Sequence, residues 1–342
     1  MTRGAIRVRA ALIVAADYPW LVADIGGTNA RFGLVHAGDA AVVDVRSYKC
    51  GDQASPQAAA TFYLDELEQR DGKRVQPHAA ALALATAIDS DPVKLTNSDW
   101  TVSRGAITAA LGTQRVLLLN DFEALALALP RLADDQTQWI GAARPDHRLP
   151  MAVIGPGTGL GVSACVPVAG GWIALAAEGG HVTASAADQF ESDVLDVVRA
   201  EHAHVSAERL LSGIGLPLLH RAVCTVRGAA YRALDAEGIA LAAREHSDPE
   251  CSVTLDTFCA MLGTFAGNVA LTIGARGGVF VAGGIAQKLG PRFVASRFRE
   301  RFEAKGRFAP YLARIATGLI MAPHAALTGT AHALGQVAEV EQ

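Results

Sequence analysis

The chain has 342 residues, 51% of them hydrophobic and 19% charged, with a formal net charge of −4. That length suits about two domains, and the apolar share is ample for packed cores, which excludes global disorder. The slightly acidic balance excludes the basic footprint of a generic nucleic-acid binder and of a strongly basic membrane-surface protein.

Residues 1–18 carry Arg3, Arg7 and Arg9 and then the apolar stretch 10–16. That stretch is short and lacks a convincing small-residue cleavage site, so a short extension is expected rather than a secretory signal. Three strands follow, at 21–25, 30–35 and 41–48, with glycines between the first two. Ser55-Pro56 resembles a helix start, and 58–67 supplies helical material. A buried strand is expected at 79–88, a short one at 100–102, and an apolar one at 116–119 that ends on Asn120-Asp121. Residues 122–129 then read as a helix. Strands alternating with helices predict an α/β layered fold.

Residues 130–150 hold Asp134-Asp135, Gly141 and Pro145 and read as a loop or domain connection. A second unit opens with a strand at 151–154. Residues 162–168 and 172–176 predict a hairpin around Ala169-Gly170-Gly171. Helical patterns dominate 186–276, notably 188–200 and 255–273. A short strand at 278–282 precedes Gly283-Gly284, a late strand is expected at 315–321, and a final helix at 325–337.

The five cysteines, Cys50, Cys165, Cys224, Cys251 and Cys259, form no CxxC pair, and no His/Cys group has zinc-ligand spacing. A disulfide framework is therefore not expected and a reducing cytoplasm is. No run approaches the ~18 consecutive apolar residues of a membrane-spanning helix.

Both halves begin alike, with a strand, a glycine loop containing Thr, and another strand. The first loop is Asp24-Ile25-Gly26-Gly27-Thr28 and the second Gly155-Pro156-Gly157-Thr158-Gly159-Leu160-Gly161. Such a hairpin can turn backbone N–H groups toward an anion. Glycine there permits positive φ and close approach of a phosphate. Asp24 cannot ligate phosphate but can hold magnesium through water, because that ion keeps much of its hydration shell. Either loop alone could be an ordinary hairpin turn. Neither contains the Lys of a Walker A loop. The GxGxxA pattern at 159–164 should open a helix to bind a dinucleotide, yet 162–168 reads as a strand.

Asn120-Asp121 at the carboxyl end of a buried strand points to the usual ligand crevice of an α/β sheet, although Asp is also a common helix N-cap. Glu178-Gly179-Gly180-His181 follows a strand, and its glycines allow a bend that turns Glu and His toward one ligand. The alternative is a hydrated turn. Glu208, in His204-Val205-Ser206-Ala207-Glu208-Arg209, fits a capping box poorly and could be an ordinary solvent-facing helix acid.

Taken in order, Asp24-Ile25-Gly26-Gly27-Thr28-Asn29-Ala30-Arg31, Leu119-Asn120-Asp121-Phe122, Gly157-Thr158-Gly159-Leu160-Gly161, Glu178-Gly179-Gly180-His181, 204–213 and 278–285 resemble the bacterial glucokinase family, within the hexokinase, Hsp70 and actin superfamily. The resemblance runs from about residue 19 to 335. It implies a two-domain actin-like ATPase fold (ribonuclease H-like) with a central cleft. The small domain is expected at 19–131 plus 322–342 and the large one at 132–321.

By that resemblance, Asn120, Asp121, Glu178, His181 and Glu208 bind glucose, and Asp121 is the catalytic base. Ala23, Asp24, Ile25, Gly26, Gly27 and Thr28 hold ATP phosphates with Gly157, Thr158 and Gly159. Gly283 and Gly284 lie near the adenosine. Asp24 holds Mg2+ through water. The implied reaction is ATP-dependent phosphorylation of D-glucose at its 6-hydroxyl, with domain closure to exclude water. The implied protein is a cytoplasmic homodimer with no nucleic-acid or membrane partner.

The loop after the strand near Ala85, Thr86-Ala87-Ile88-Asp89-Ser90-Asp91, departs from the Pro and Gly often found there. Two alternatives stand beside this reading, a kinase of another hexose and a non-catalytic sugar-binding regulator. No cysteine-rich zinc motif follows His181, which weighs against the repressor and kinase group that shares the Glu-Gly-Gly-His element. About eighteen N-terminal residues are too few for a helix-turn-helix module.

Overall fold

The structure, a computed structural model, describes residues 17–37, 41–96 and 98–340, with side chains to residue 336. The extension expected at 1–18 lies, through residue 16, outside the described residues. The described chain forms two compact units, one up to Ala124 and again from His324 onward, the other Leu125–Pro323.

The first unit is built on β1 (Trp20–Ile25), β2 (Asn29–Val35), β3 (Val43–Lys49), α1 (Pro56–Asp71), β4 (Ala79–Leu84), the short pair β5 (Val93–Lys94) and β6 (Thr101–Val102), α2 (Arg104–Leu111), β7 (Arg115–Asn120) and the start of α3 (Asp121–Ala128). Its main sheet has the order β3-β2-β1-β4-β7. β1, β4 and β7 run parallel, and β2 and β3 are antiparallel additions at one edge.

β1 and β4 are apolar without alternation because both faces are covered. Leu21, Ala23, Ile25, Ala80, Leu82 and Leu84 pack with Tyr63, Leu64 and Leu67 of α1. α1 starts as the sequence predicts. Pro56 is its first residue, and the Ser55 hydroxyl accepts a hydrogen bond from Ala58 N–H at 3.2 Å. The strand expected at 79–88 stops at Leu84, where Thr86 N–H turns back onto the Leu84 carbonyl at 2.8 Å. α2 was not expected, although its signals are present in Ser103 as N-cap and Gly112 as a left-handed C-cap.

The second unit contains β8 (Thr137–Ile140), β9 (Met151–Pro156), β10 (Leu160–Val168), β11 (Gly171–Leu175), α4 (Gln189–Arg199), α5 (Leu216–Arg227), α6 (Ala236–Arg244), α7 (Pro249–Ile273), β12 (Gly278–Val281), α8 (Gly284–Leu289), α9 (Pro291–Val294), α10 (Phe298–Glu303), α11 (Ala309–Leu312) and β13 (Thr317–Ile320). Its sheet has the order β11-β10-β9-β12-β13-β8, with β9, β12 and β13 parallel. β8 corrects the reading of 130–150 as loop alone. It is a four-residue edge strand, antiparallel to β13, too short to show a periodic pattern.

The β10–β11 hairpin turns through Ala169-Gly170, with Gly170 at φ 88°, as a tight hairpin requires. α7 is 25 residues long and apolar enough to span a membrane by composition, yet it is mostly buried inside the unit. Its Leu255, Phe258, Leu262 and Ala266 belong to one core with strands β9 and β12.

The last helix, α12 (Ala325–Val340), returns to the first unit. Leu327, Ala331 and Leu334 pack against Trp20, Val22, Val35, Ala79 and Ala81. Apart from Val35 at the end of β2, these are the alternate residues of β1 and β4, so α12 covers the sheet face that α1 leaves bare.

One buried ion pair ties α10 to α4. Arg301 pairs with Glu191, also meets Asp188 at 3.2 Å, and donates to Thr264 Oγ1 at 3.3 Å. Burial raises the Glu191 carboxyl, and Arg301 opposes that rise. Removing only the cation strands a buried carboxylate. Arg301→Met should therefore cost about 3–5 kcal/mol in urea unfolding. Adding Glu191→Leu should recover most of it, because an apolar pair removes the uncompensated charge.

Candidate active site

In the first unit, the parallel strands place several predicted residues at one sheet edge. Ile25, Leu84 and Asn120 align across β1, β4 and β7. The carboxyl ends of parallel strands are where open α/β sheets bind ligands. At that edge the β1–β2 hairpin turns through Gly26-Gly27-Thr28, closed by Gly26 N–H to the Asn29 carbonyl at 2.9 Å. Thr28 is further held through its carbonyl, which accepts from Cys50 N–H at 2.8 Å.

Asp24 lies one residue before the strand's end and pairs with Arg31 across the hairpin at 3.0 Å. Burial pushes the Asp24 carboxyl up from its ordinary range, opposed by Arg31 and by His324. Arg31 is a contributor that the residue-by-residue reading did not assign. The tight turn supplies a signal, because closing it between Ile25 and Ala30 puts Arg31 opposite Asp24.

Asn120 ends β7 and caps α3. Phe122 N–H donates to Asn120 Oδ1 at 2.8 Å and to Asp121 Oδ1 at 3.0 Å. The Asn120 amide donates to the Thr86 carbonyl at 3.1 Å, which fixes its orientation. Burial raises the Glu123 carboxyl, which accepts from the Asn120 backbone N–H, so that donor at the start of α3 is satisfied as well. The N-cap expected of Asp121 thus falls mainly to Asn120, with Asp121 as the first residue of the helix. The Thr86 loop, flagged in the sequence for its departure, is what positions Asn120.

The second unit gathers another group. The β9–β10 turn, Gly157-Thr158-Gly159, is closed by Gly157 N–H to the Gly159 carbonyl at 2.8 Å, and Gly213 N–H bonds the Gly157 carbonyl at 2.8 Å. β10 begins at Leu160, so the GxGxxA pattern opens a strand, as anticipated. Glu208 is in a turn, not on a solvent-facing helix, and its Oε2 accepts from Leu160 N–H at 2.8 Å.

Glu178-Gly179-Gly180-His181 forms a tight turn against β10. A Cβ on Gly180 would lie 2.0 Å from the Leu160 carbonyl oxygen, and one on Gly179 would press on Val162. Only glycines allow that approach. The Gly180 carbonyl accepts from Glu208 N–H at 2.9 Å. His181 stands between two acids, its Nδ1 3.8 Å from Glu208 Oε1 and its Nε2 4.0 Å from Glu178 Oε2. Glu178, His181 and Glu208 thus form one group beside the glycine turn.

Gly26, Gly157 and Gly159 all avoid the positive φ anticipated at the loop tips, and of the three only Gly159 stands in a close approach. A Cβ on Gly159 would lie 2.4 Å from Glu208 Oε2. Gly283, by contrast, has φ 90° and abuts the Pro156 carbonyl. It follows β12, whose Val281 pairs with Ile154 of β9, so Gly283-Gly284 and the 157–159 turn follow neighbouring parallel strands.

Comparison with known proteins bears out the motif resemblance. The family model described as Glucokinase matches residues 21–337. The chain belongs to the glucokinase family. A glucokinase from Aromatoleum aromaticum is 45% identical over 317 residues, covering 93% of this chain and 95% of that one. A glucokinase from Paramagnetospirillum magneticum is 46% identical over 312 residues, covering 91% and 96%. The crystal structure of a glucokinase from an Antarctic psychrotroph matches with a TM-score of 0.85 at 36% identity, covering 93% of this chain and 99% of that one. The fold is the two-sheet α/β glucokinase fold of the actin-like ATPase type, and the activity is that of a glucokinase, which phosphorylates glucose.

Proposed function

We propose that Asp121 is the general base of glucose phosphorylation, and that Asn120, Glu178, His181 and Glu208 hold the sugar hydroxyls. Ala23 to Thr28 and Gly157 to Gly159 cradle the phosphates of ATP, the phosphoryl donor, and Gly283-Gly284 flank its adenosine. The observation that carries this reading is the register Ile25–Leu84–Asn120. It brings the base and a phosphate-type glycine hairpin to one sheet edge.

The donor set suits a sugar. A hydroxyl both donates and accepts, and carboxylates, an amide and an imidazole meet both needs. Polar partners that a bound sugar desolvates reject analogues that leave them unpaired. Asp121 receives the 6-hydroxyl proton as the oxygen takes the γ-phosphoryl group. The transition state of phosphoryl transfer is loose, so orientation and charge neutralisation contribute more than basicity.

Asp24 suits Mg2+ held through water. It is a hard oxygen donor near the phosphate hairpin, and burial with Arg31 holds it in place. When bound, Mg2+ supplies neutralisation of developing phosphate charge. The same reading carries a cytoplasmic homodimer, consistent with five free buried cysteines. Light scattering at working concentration tests the dimer.

The primary test is magnesium-dependent ADP release from ATP with glucose, fructose, mannose, N-acetylmannosamine or no sugar. Turnover selective for glucose is expected. Equal turnover without sugar would defeat the sugar-site assignment.

A further inference from the structure

The spacing of cysteines in the sequence shows no metal motif, but folding gathers donors that are far apart along the chain. His220 and Cys224 lie one turn apart on α5. Asp248 caps α7, and Cys251 is in its first turn. One donor atom each from His220, Asp248 and Cys251 falls within 4.8 Å of the others. Cys251 Sγ is 3.9 Å and Cys224 Sγ 3.8 Å from His220 Nε2. Zinc bonds of ~2.3 Å to sulfur and ~2.0 Å to nitrogen, at a tetrahedral angle, set that separation near ~3.5 Å. Each sulfur thus needs to move only a few tenths of an ångström relative to His220 Nε2. His220, Cys224 and Cys251 are fully buried, and Asp248 is partly exposed, which leaves a side for entry.

The imidazole is oriented for a metal. Thr254 Oγ1 donates its proton to the Glu250 carbonyl at 2.7 Å. It therefore accepts from His220 Nδ1–H, 2.9 Å away. That bond selects the tautomer with its lone pair on Nε2, 3.9 Å from Cys251 Sγ; Cys224 Sγ lies almost equally far from Nε2 and Nδ1, at 3.8 and 3.9 Å. A ligand histidine whose other nitrogen donates to a fixed acceptor is the usual outer-shell arrangement. The Cys251 thiol donates to Asp248, a proton that a metal would replace.

We propose that His220, Asp248 and Cys251 bind a thiophilic divalent cation of the zinc class, with Cys224 as fourth donor, clamping α5 to the start of α7. The site is separate from every residue assigned to glucose or ATP. Binding to both sulfurs displaces two thiol protons to solvent and changes no oxidation state, so no co-reactant is needed. Thiolate and imidazole together favour zinc over magnesium or calcium.

The test uses the full chain without a histidine tag. It is stripped with chelator, checked for folding by circular dichroism, and titrated with Co2+ and then Zn2+. One equivalent of Co2+ should give thiolate-to-cobalt absorption and tetrahedral visible bands, which one equivalent of Zn2+ abolishes. Cys251→Ser should remove the thiolate signal or weaken it severely. Thr254→Val leaves the donors intact and should lower zinc affinity about 10–100-fold. Cys165→Ser and Cys259→Ser, at other buried cysteines, should leave the spectrum unchanged. Folded wild type with no tetrahedral cobalt signal overturns the proposal, as does a signal unchanged in Cys251→Ser.

Discussion

Asp121→Asn is expected to lower kcat about 10²–10⁴-fold, the usual contribution of a positioned general base. Asn keeps the size of the side chain and can still accept from Phe122 N–H, the 3.0 Å bond that Asp121 makes at the start of α3. The helix and its Asn120 cap should persist, so the melting temperature should move little. An amide cannot take the hydroxyl proton. The loss should therefore fall on kcat, with the glucose KM within a few-fold of wild type. If the loss fell instead on KM with kcat kept, Asp121 would be a sugar-binding residue only. A loss below about tenfold in kcat would mean that positioning alone carries the step, as a loose transition state permits.

Gly159→Ala should separate function from folding. Its Cβ would meet Glu208 Oε2 at 2.4 Å, the far end of a flexible side chain. The carboxylate can swing away cheaply, so stability should fall by less than about 1.5 kcal/mol. Leaving its place breaks the 2.8 Å bond to Leu160 N–H and the approach to His181. A misplaced positioning group can cost about 10²-fold, so kcat/KM for glucose should fall by that order in a protein that melts almost normally.

Gly180→Ala is the contrasting variant. Its Cβ would strike the Leu160 carbonyl oxygen at 2.0 Å, and backbone in a sheet cannot swing aside. It should lose both activity and stability, the latter by about 1–3 kcal/mol or more. Steady-state kinetics with thermal melts distinguishes the two variants. If Gly159→Ala retained full activity, the Glu208 carboxylate would not need its observed place.

Much of the fold was legible along the chain. β1, β4 and β9 read as buried strands because both sides of each are apolar, and α1 announced itself through Ser55-Pro56. The elements that were missed or misjudged were short. β8 has four residues, too few for periodicity, and it is a strand because β13 offers its edge. β4 ends at Leu84 rather than at Ile88, because the Thr86 carbonyl is engaged by the Asn120 amide.

The sequence by itself determined the family, through motifs whose chemistry depends on residue type and local spacing. It also determined the two glycine hairpins, where glycine and strand patterns are neighbours in the chain. Tertiary structure alone decided which distant side chains meet. Glu208 reaches Leu160, 48 residues away, because the glycine turn at 179–180 lies directly on β10. Cys251 reaches His220, 31 residues away, because α5 and α7 pack in one core. Local propensity acts over a few residues, whereas such meetings follow from burial of apolar faces chosen by the whole chain.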